Sequence, residues 1–334
     1  MRQTEKEAQD NAACGYGLLG LCCSACLHGP CRLTPFDEDP VKGLCGDDRD
    51  LMVARNLLRL ALRETFRAIR DLKEAVLETG SLNPASPLVE EAKDLLSPFP
   101  KGVGSLLSSL YPENVFPTVR QIFQETDFPP KSLISLSLDS VDVGEKESSG
   151  VEQILTHALR MSLLVLISED LRKNLTQQGD GVSLPEEDHR ISEELECLPS
   201  TPCPVIIHLS DGDLPLTQSL SRRRDEFQQK LDGKVPMVSI KAGPALPEIG
   251  RRLSKKWALT VTDMRSTVLI SSRHVTSALG ALGLGYTVVS FPALPIHGSV
   301  RTEKFFCQDF QTMFGSAYLH SWEEDTIAKI LQRG

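Results

Sequence analysis

Six of the nine cysteines in this 334-residue chain lie between positions 14 and 45. Cys23, Cys26, Cys31 and Cys45 form one set: a Cys-x2-Cys pair on a tight turn, a third thiol soon after, and a fourth returning from a separate loop. Four thiolates drawn from short and long connections suit a cubane 4Fe–4S cluster. Gly29, Gly43 and Gly46 let the backbone close around such a core with amides free for its sulfur, and Pro30 stiffens the approach to Cys31. A four-cysteine zinc site draws on the same residue type, but no histidines stand at finger-like spacing. Cys14 and Cys22 remain. Two thiols cannot complete a four-coordinate cluster, so they are either inert or meet their counterparts in a second copy across a two-fold axis, where two ligands become four.

The segment from Cys14 to Leu57 resembles the N-terminus of the nickel-containing carbon monoxide dehydrogenase catalytic subunits. The shared pattern runs Cys-Gly-Tyr-Gly-x2-Gly-Leu-Cys-Cys-x2-Cys-x2-Gly-Pro-Cys-Arg over residues 14–32. It continues through Pro35-Phe36, Gly43-Leu44-Cys45-Gly46 and Val53-Ala54-Arg55-Asn56-Leu57. The resemblance implies that Cys23, Cys26, Cys31 and Cys45 hold a 4Fe–4S cluster inside each subunit. It implies further that Cys14 and Cys22, with the same pair from a second subunit, hold a bridging 4Fe–4S or 2Fe–2S cluster in a homodimer. A weaker likeness touches the helix near 151–175, and a clearer one the stretch from Ala278 to Ser299, which includes Phe291-Pro292-Ala293-Leu294-Pro295.

The middle domain of that family has no counterpart, and most ligands of its nickel–iron cluster go with it. His208 lies near the family's ligand-bearing segment, but the ligand histidine itself aligns with Ser210. Cys197, Cys203 and Cys307 match none of the family's ligand motifs and read as idle or buried thiols. No nickel is expected, and CO dehydrogenase activity by this chain alone is not expected either. Gly280-x2-Gly283-x-Gly285 ends a predicted helix instead of opening one, so these are packing glycines and not a dinucleotide fingerprint. Ser299 is a helix cap. His28 either tunes a cluster or faces solvent, and His157, His189, His274 and His320 show no partners.

The elements that position the cysteines begin with a helix predicted over 47–79. Asp47 and Asp48 stand at its start and Gly80 at its end; Leu51, Ala54, Leu58, Ala61 and Leu62 mark its buried stripe, with Arg55, Arg59, Arg63 and Arg70 off that stripe. Residues 81–150 are proline-rich, with short helices expected over 88–96 and 115–125. A second long helix is expected over 151–175, followed by a polar surface connection over 176–202. Apolar runs at 204–209, 236–240, 267–270, 286–291 and 317–320 then read as buried strands. Helices at 216–231, 246–257, 275–282 and 300–314 alternate with them, and 323–332 closes the chain. Such alternation specifies a parallel sheet covered by helices.

The fold class expected is therefore α/β: a cysteine-rich iron–sulfur module (1–46), a helical domain (47–202) and a Rossmann-like parallel domain (203–334). A net charge of −9 argues against nucleic acid. The Arg222–Arg224 run and the Arg251-Arg252 pair with Lys255-Lys256 read as solvated helix faces. No run of about 18 apolar residues calls for membrane insertion, and the polar N-terminus lacks a secretory core, so a cytoplasmic, anaerobic setting is expected. The function these residues indicate is electron transfer with ferredoxin or a partner oxidoreductase. The alternatives are a shortened oxidoreductase with a rebuilt site near His208, and an assembly or regulatory partner of a larger redox complex.

Overall fold

The computed structural model describes residues 14–36, 41–83, 85–97, 111–127, 132–180, 186–210, 229, 235–240, 245–263, 267–272, 274–291 and 293–319. Two expected helices (216–231 and 323–332), the Arg222–Arg224 run and His320 lie outside these residues or almost wholly so.

The cysteine module is a short helix, α1 (Gly15–Leu18), followed by an antiparallel pair, β1 (Cys22–Cys23) and β2 (Cys31–Arg32). It rests on α2 (Arg49–Leu82). Asp48 caps α2 by accepting the Leu51 N–H, and Leu58, Ala61, Thr65, Ile69, Leu72 and Val76 bury its inner face. The helix runs past Gly80, which does not act as a C′ glycine. Gly80 lies against Val89 of α3 (Pro87–Leu96), where a Cβ would make an ordinary contact at 3.4 Å.

Helix α4 (Pro117–Asp127) is followed by α5 (Leu133–Glu145), which the sequence reading did not anticipate. Its serines hid it: Ser132 caps the helix, while Ser137 and Ser140 donate back to Leu133 O and Leu136 O. The central helix α6 (Val151–Asp180) packs along α2, and Thr65 Oγ1 crosses between them to Met161 O at 3.0 Å. By length and composition α6 could cross a membrane, but 83% of its most apolar window is buried in the protein. It is a core helix. The expected polar connection after it holds another helix, α7 (Glu186–Glu196), anchored by buried Ile191 and Leu195.

The last part of the chain carries β3 (Ile206–Ser210), β4 (Met237–Ile240), β5 (Thr267–Ser271), β6 (Thr287–Phe291) and β7 (Tyr318–Leu319). All pair in parallel, in the order β4-β3-β5-β6-β7. This is the doubly wound order with its reversal between β3 and β5. Helices α8 (Ala245–Trp257) and α9 (Val275–Gly283) alternate with the strands. Gly280 and Gly283 are packing glycines: Cβ atoms there would fall 2.9 Å from Leu166 and Leu163 of α6. The segment expected as one helix over 300–314 comprises α10 (Val300–Lys304), a π turn (Phe305–Asp309) and α11 (Phe310–Phe314). One apolar core runs from Leu21 in the module to Tyr318 in the last strand.

Candidate functional site

Strand pairing fixes the first relation among the cysteines. Cys23 stands opposite Cys31 across β1 and β2, and Cys26 lies in the turn between them. A Cβ on Gly29 would sit 3.2 Å from Cys23 O, 3.3 Å from Cys26 O and 3.5 Å from Cys31 N. Only glycine lets those three backbones approach so closely. On the returning loop, a Cβ at Gly43 would lie in ordinary contact with Cys31 Cβ at 3.8 Å. The segment carrying Cys45 therefore passes beside Cys31. Its turn is closed by Gly46 N–H to Gly43 O and Gly43 N–H to Asp47 O.

Successive side chains of a strand point to opposite faces, so Cys22 faces away from Cys23 and does not share its site. Cys14 is exposed at the start of α1. Backbone N–H groups, Gly17 first and then Tyr16, draw its thiol below the ordinary value. Strand alternation thus directs Cys22 and Cys23 to opposite faces of the hairpin.

Helix α2 grips the module at three points. Asn56 donates its amide to Gly20 O at 2.9 Å and Cys22 O at 3.0 Å. Arg55 contacts both oxygens of Asp47 at 2.8 Å and reaches Lys146 O at 3.0 Å. This pair is buried, which corrects the expectation that Arg55 sits off the buried stripe and that Asp47 serves as a cap. Arg59 extends Nη1 to Cys23 Sγ at 3.4 Å. None of these contacts was read from the sequence, although Arg55 and Asn56 belong to the Val53–Leu57 stretch that carried the resemblance.

The sheet region also touches the module. Gly298 donates its N–H to Leu19 O at 2.9 Å, and Ser299 caps α10 while bonding Asp50 at 2.6 Å. A Cβ on Gly298 would fall 2.4 Å from Leu19 O, and one on Gly20 equally close to Pro295 O. The expected cap role of Ser299 is what the structure shows.

The other sequence candidates are dispersed. His208 is buried within β3, while Ser210 ends that strand. Cys197 is exposed; Cys203 and Cys307 are half-buried, and burial pushes the Cys203 thiol up. His157 and His274 do have partners: Ser140 Oγ lies 2.8 Å from His157 Nδ1, and Glu64 lies 3.3 Å from His274. His28 is exposed. Among the described residues, no three histidines, cysteines or carboxylates gather closely enough to hold a single metal ion. A cavity of about 360 Å³ between α4, α6 and the π turn is lined by Glu152, Leu159, Phe305 and Asp309, and by no cysteine of the module.

Residues 21–93 match the Prismane/CO dehydrogenase family. The carbon monoxide dehydrogenase of Rhodospirillum rubrum is 60% identical over 92 residues, covering 25% of this chain and 14% of that protein. Carbon monoxide dehydrogenase 1 of Methanosarcina acetivorans is 48% identical over 73 residues, covering 22% of this chain and 12% of that protein. The structure of carbon monoxide dehydrogenase IV from Carboxydothermus hydrogenoformans aligns with 99% of this chain and 56% of its own length, at 16% identity and a TM-score of 0.46. The N-terminal segment of this chain is thus similar to the Prismane/CO dehydrogenase family and to the carbon monoxide dehydrogenases. The sequence matches span only about a seventh of those relatives.

Proposed function

We propose that this chain is an iron–sulfur electron-transfer protein. In this reading Cys23, Cys26, Cys31 and Cys45 hold one 4Fe–4S cluster in each subunit. Cys14 and Cys22, with their copies in a second subunit, hold a bridging cluster. The observation that carries it is the Cys23–Cys31 cross-strand pair, with Cys26 in the intervening turn and the Cys45 loop drawn against Cys31 through Gly43.

The residues fit the group. Three of the thiols sit on one hairpin and the fourth on the loop beside it, and a cubane takes one cysteine at each of four irons. The donor set is all thiolate, as such clusters require. When bound, the cluster supplies one-electron chemistry at unchanged atom count. One electron enters from a partner oxidoreductase, and one leaves to a ferredoxin-class acceptor.

What the chain's own residues contribute is placement. Asn56 holds the β1 backbone, Asp47 and Arg55 hold the Cys45 loop, and Gly29 eases the close approach of the hairpin backbones. The opposed directions of Cys22 and Cys23 separate the inner set from the bridging set. Support for a homodimer comes from exposed apolar side chains around the module: Leu18, Leu27, Phe36 and Leu44 all face solvent. A second copy covering these side chains would remove apolar surface from water.

We further infer the division 1–46, 47–202 and 203–334 as module, helical part and sheet part. No CO-oxidising nickel site is assigned, because the family's ligand histidine aligns with Ser210 and the thiols outside the module are dispersed. Paramagnetic resonance on anaerobically reconstituted variants tests the assignment. Cys26→Ser is expected to remove the inner-cluster signal and keep the bridging one. Cys14→Ser with Cys22→Ser is expected to do the reverse and to weaken the dimer. Loss of both signals together in each variant would contradict two separate ligand sets.

A further inference from the structure

We infer that Arg59 sets the reduction potential of the inner cluster, an inference resting on the cluster assignment above. Arg59 lies one helical turn beyond Arg55 on α2, so the two guanidinium groups rise from the same face of the helix. They do different work. Arg55 is consumed by Asp47 and Lys146 O, a buried pairing that fixes the Cys45 loop. Arg59 sends Nη1 to the sulfur of Cys23 at 3.4 Å, while its Nη2 lies 3.7 Å from Glu145 at the end of α5.

The Cys23 side of this contact is buried and the Arg59 side is partly open, with 31% of its side chain exposed. A guanidinium stays charged at every accessible pH. Placed against a ligand thiolate in a partly desolvated setting, it favours whichever cluster state carries more negative charge. That state is the reduced one. Hydrogen bonds to cluster sulfur and local net charge are among the levers that set such potentials. Glu145 orients the guanidinium from the far side, across the same α2–α5 seam that Arg55 closes through Lys146 O.

Asn56 and Arg55 already anchor the module's backbone and the Cys45 loop, so Arg59 is not needed for placement. Among the described residues, the hydrogen bond that Arg59 sends to the module goes to the Cys23 sulfur. Arg59 therefore acts as a tuning residue for the electron carried there. Each reduction adds one electron from dithionite and forms or breaks no bond.

The test uses the full chain reconstituted with iron and sulfide without oxygen. Redox titration with dithionite, read by paramagnetic resonance, follows the inner and bridging signals separately in wild type, Arg59→Gln and Arg59→Lys. At equal iron content, Arg59→Gln is expected to move the inner midpoint to more negative potential. A tenfold change in the reduced-to-oxidised ratio at fixed potential corresponds to about 59 mV for one electron. Arg59→Lys retains charge and should fall between the two, and the bridging midpoint should not move. If Arg59→Gln fails to hold the inner cluster, the lysine variant decides through its own midpoint. Unchanged inner midpoints, or loss of the inner cluster from both variants, overturn the tuning role while leaving the cluster assignment intact. Failure of the wild type to take up iron would instead sink the assignment itself.

Discussion

At the residue scale, the cysteines were legible because a thiol cluster needs no fold to be noticed. Their supports were not. Arg55 reads as a surface arginine on an amphipathic helix until the Cys45 loop folds back and buries Asp47 against it. Nothing in the spacing of positions 47 and 55 reveals that, since Asp47 also suits a helix cap and Arg55 a solvated helix face. The pair now yields a prediction. Arg55→Ala leaves the Asp47 carboxylate buried without its cation, which costs about 3–5 kcal/mol. Urea unfolding of the apo-protein should show that loss, and Lys146 O should lose its donor along with it. A change below about 1 kcal/mol would mean that water replaces Arg55, contrary to its burial.

At the element scale, the two long helices and all five strands of the parallel sheet were foreseeable from apolar periodicity and alternation. The end of α2 drifted past Gly80 to Asn83, whose backbone N–H closes the last turn onto Thr79 O. Helix α5 escaped because its serines satisfy themselves within the helix, and α7 because its acidic surface outweighs a thin apolar stripe. The joint between α2 and α9 rests on Glu64, which accepts from the Thr276 hydroxyl and N–H and lies beside His274. Burial pushes the Glu64 carboxyl up, but the bonds from His274 and Thr276 outweigh it and hold the carboxyl below its ordinary 4.5. A depressed carboxyl stabilises the fold fully above that ordinary value and loses this contribution as pH falls through the lower folded value. Wild type should therefore lose stability more steeply below about pH 4.5 than Glu64→Gln does. Urea midpoints collected from pH 6 to pH 3 check this, and parallel curves would remove Glu64 from the account.

At the scale of the whole molecule, the α/β class followed from strand–helix alternation, but the contact of the sheet region with the module did not. That contact is made by backbone approach at Gly20 and Gly298, and a sequence shows only that glycine is present. Residues far apart in the chain thus brace the same cysteine hairpin from two sides, α2 beneath it and the 294–299 turn beside it. In the proposed assembly a second copy covers the exposed Leu18, Leu27, Phe36 and Leu44, and Cys14 and Cys22 meet their counterparts.

Iron and acid-labile sulfide per chain, together with native mass, measured on protein reconstituted without oxygen, address the central claim most directly. With an inner cubane in each subunit and one shared cluster per pair, the account predicts about five to six irons per chain in a dimer. A colourless monomer with no bound iron, or one zinc ion per chain in its place, would contradict it.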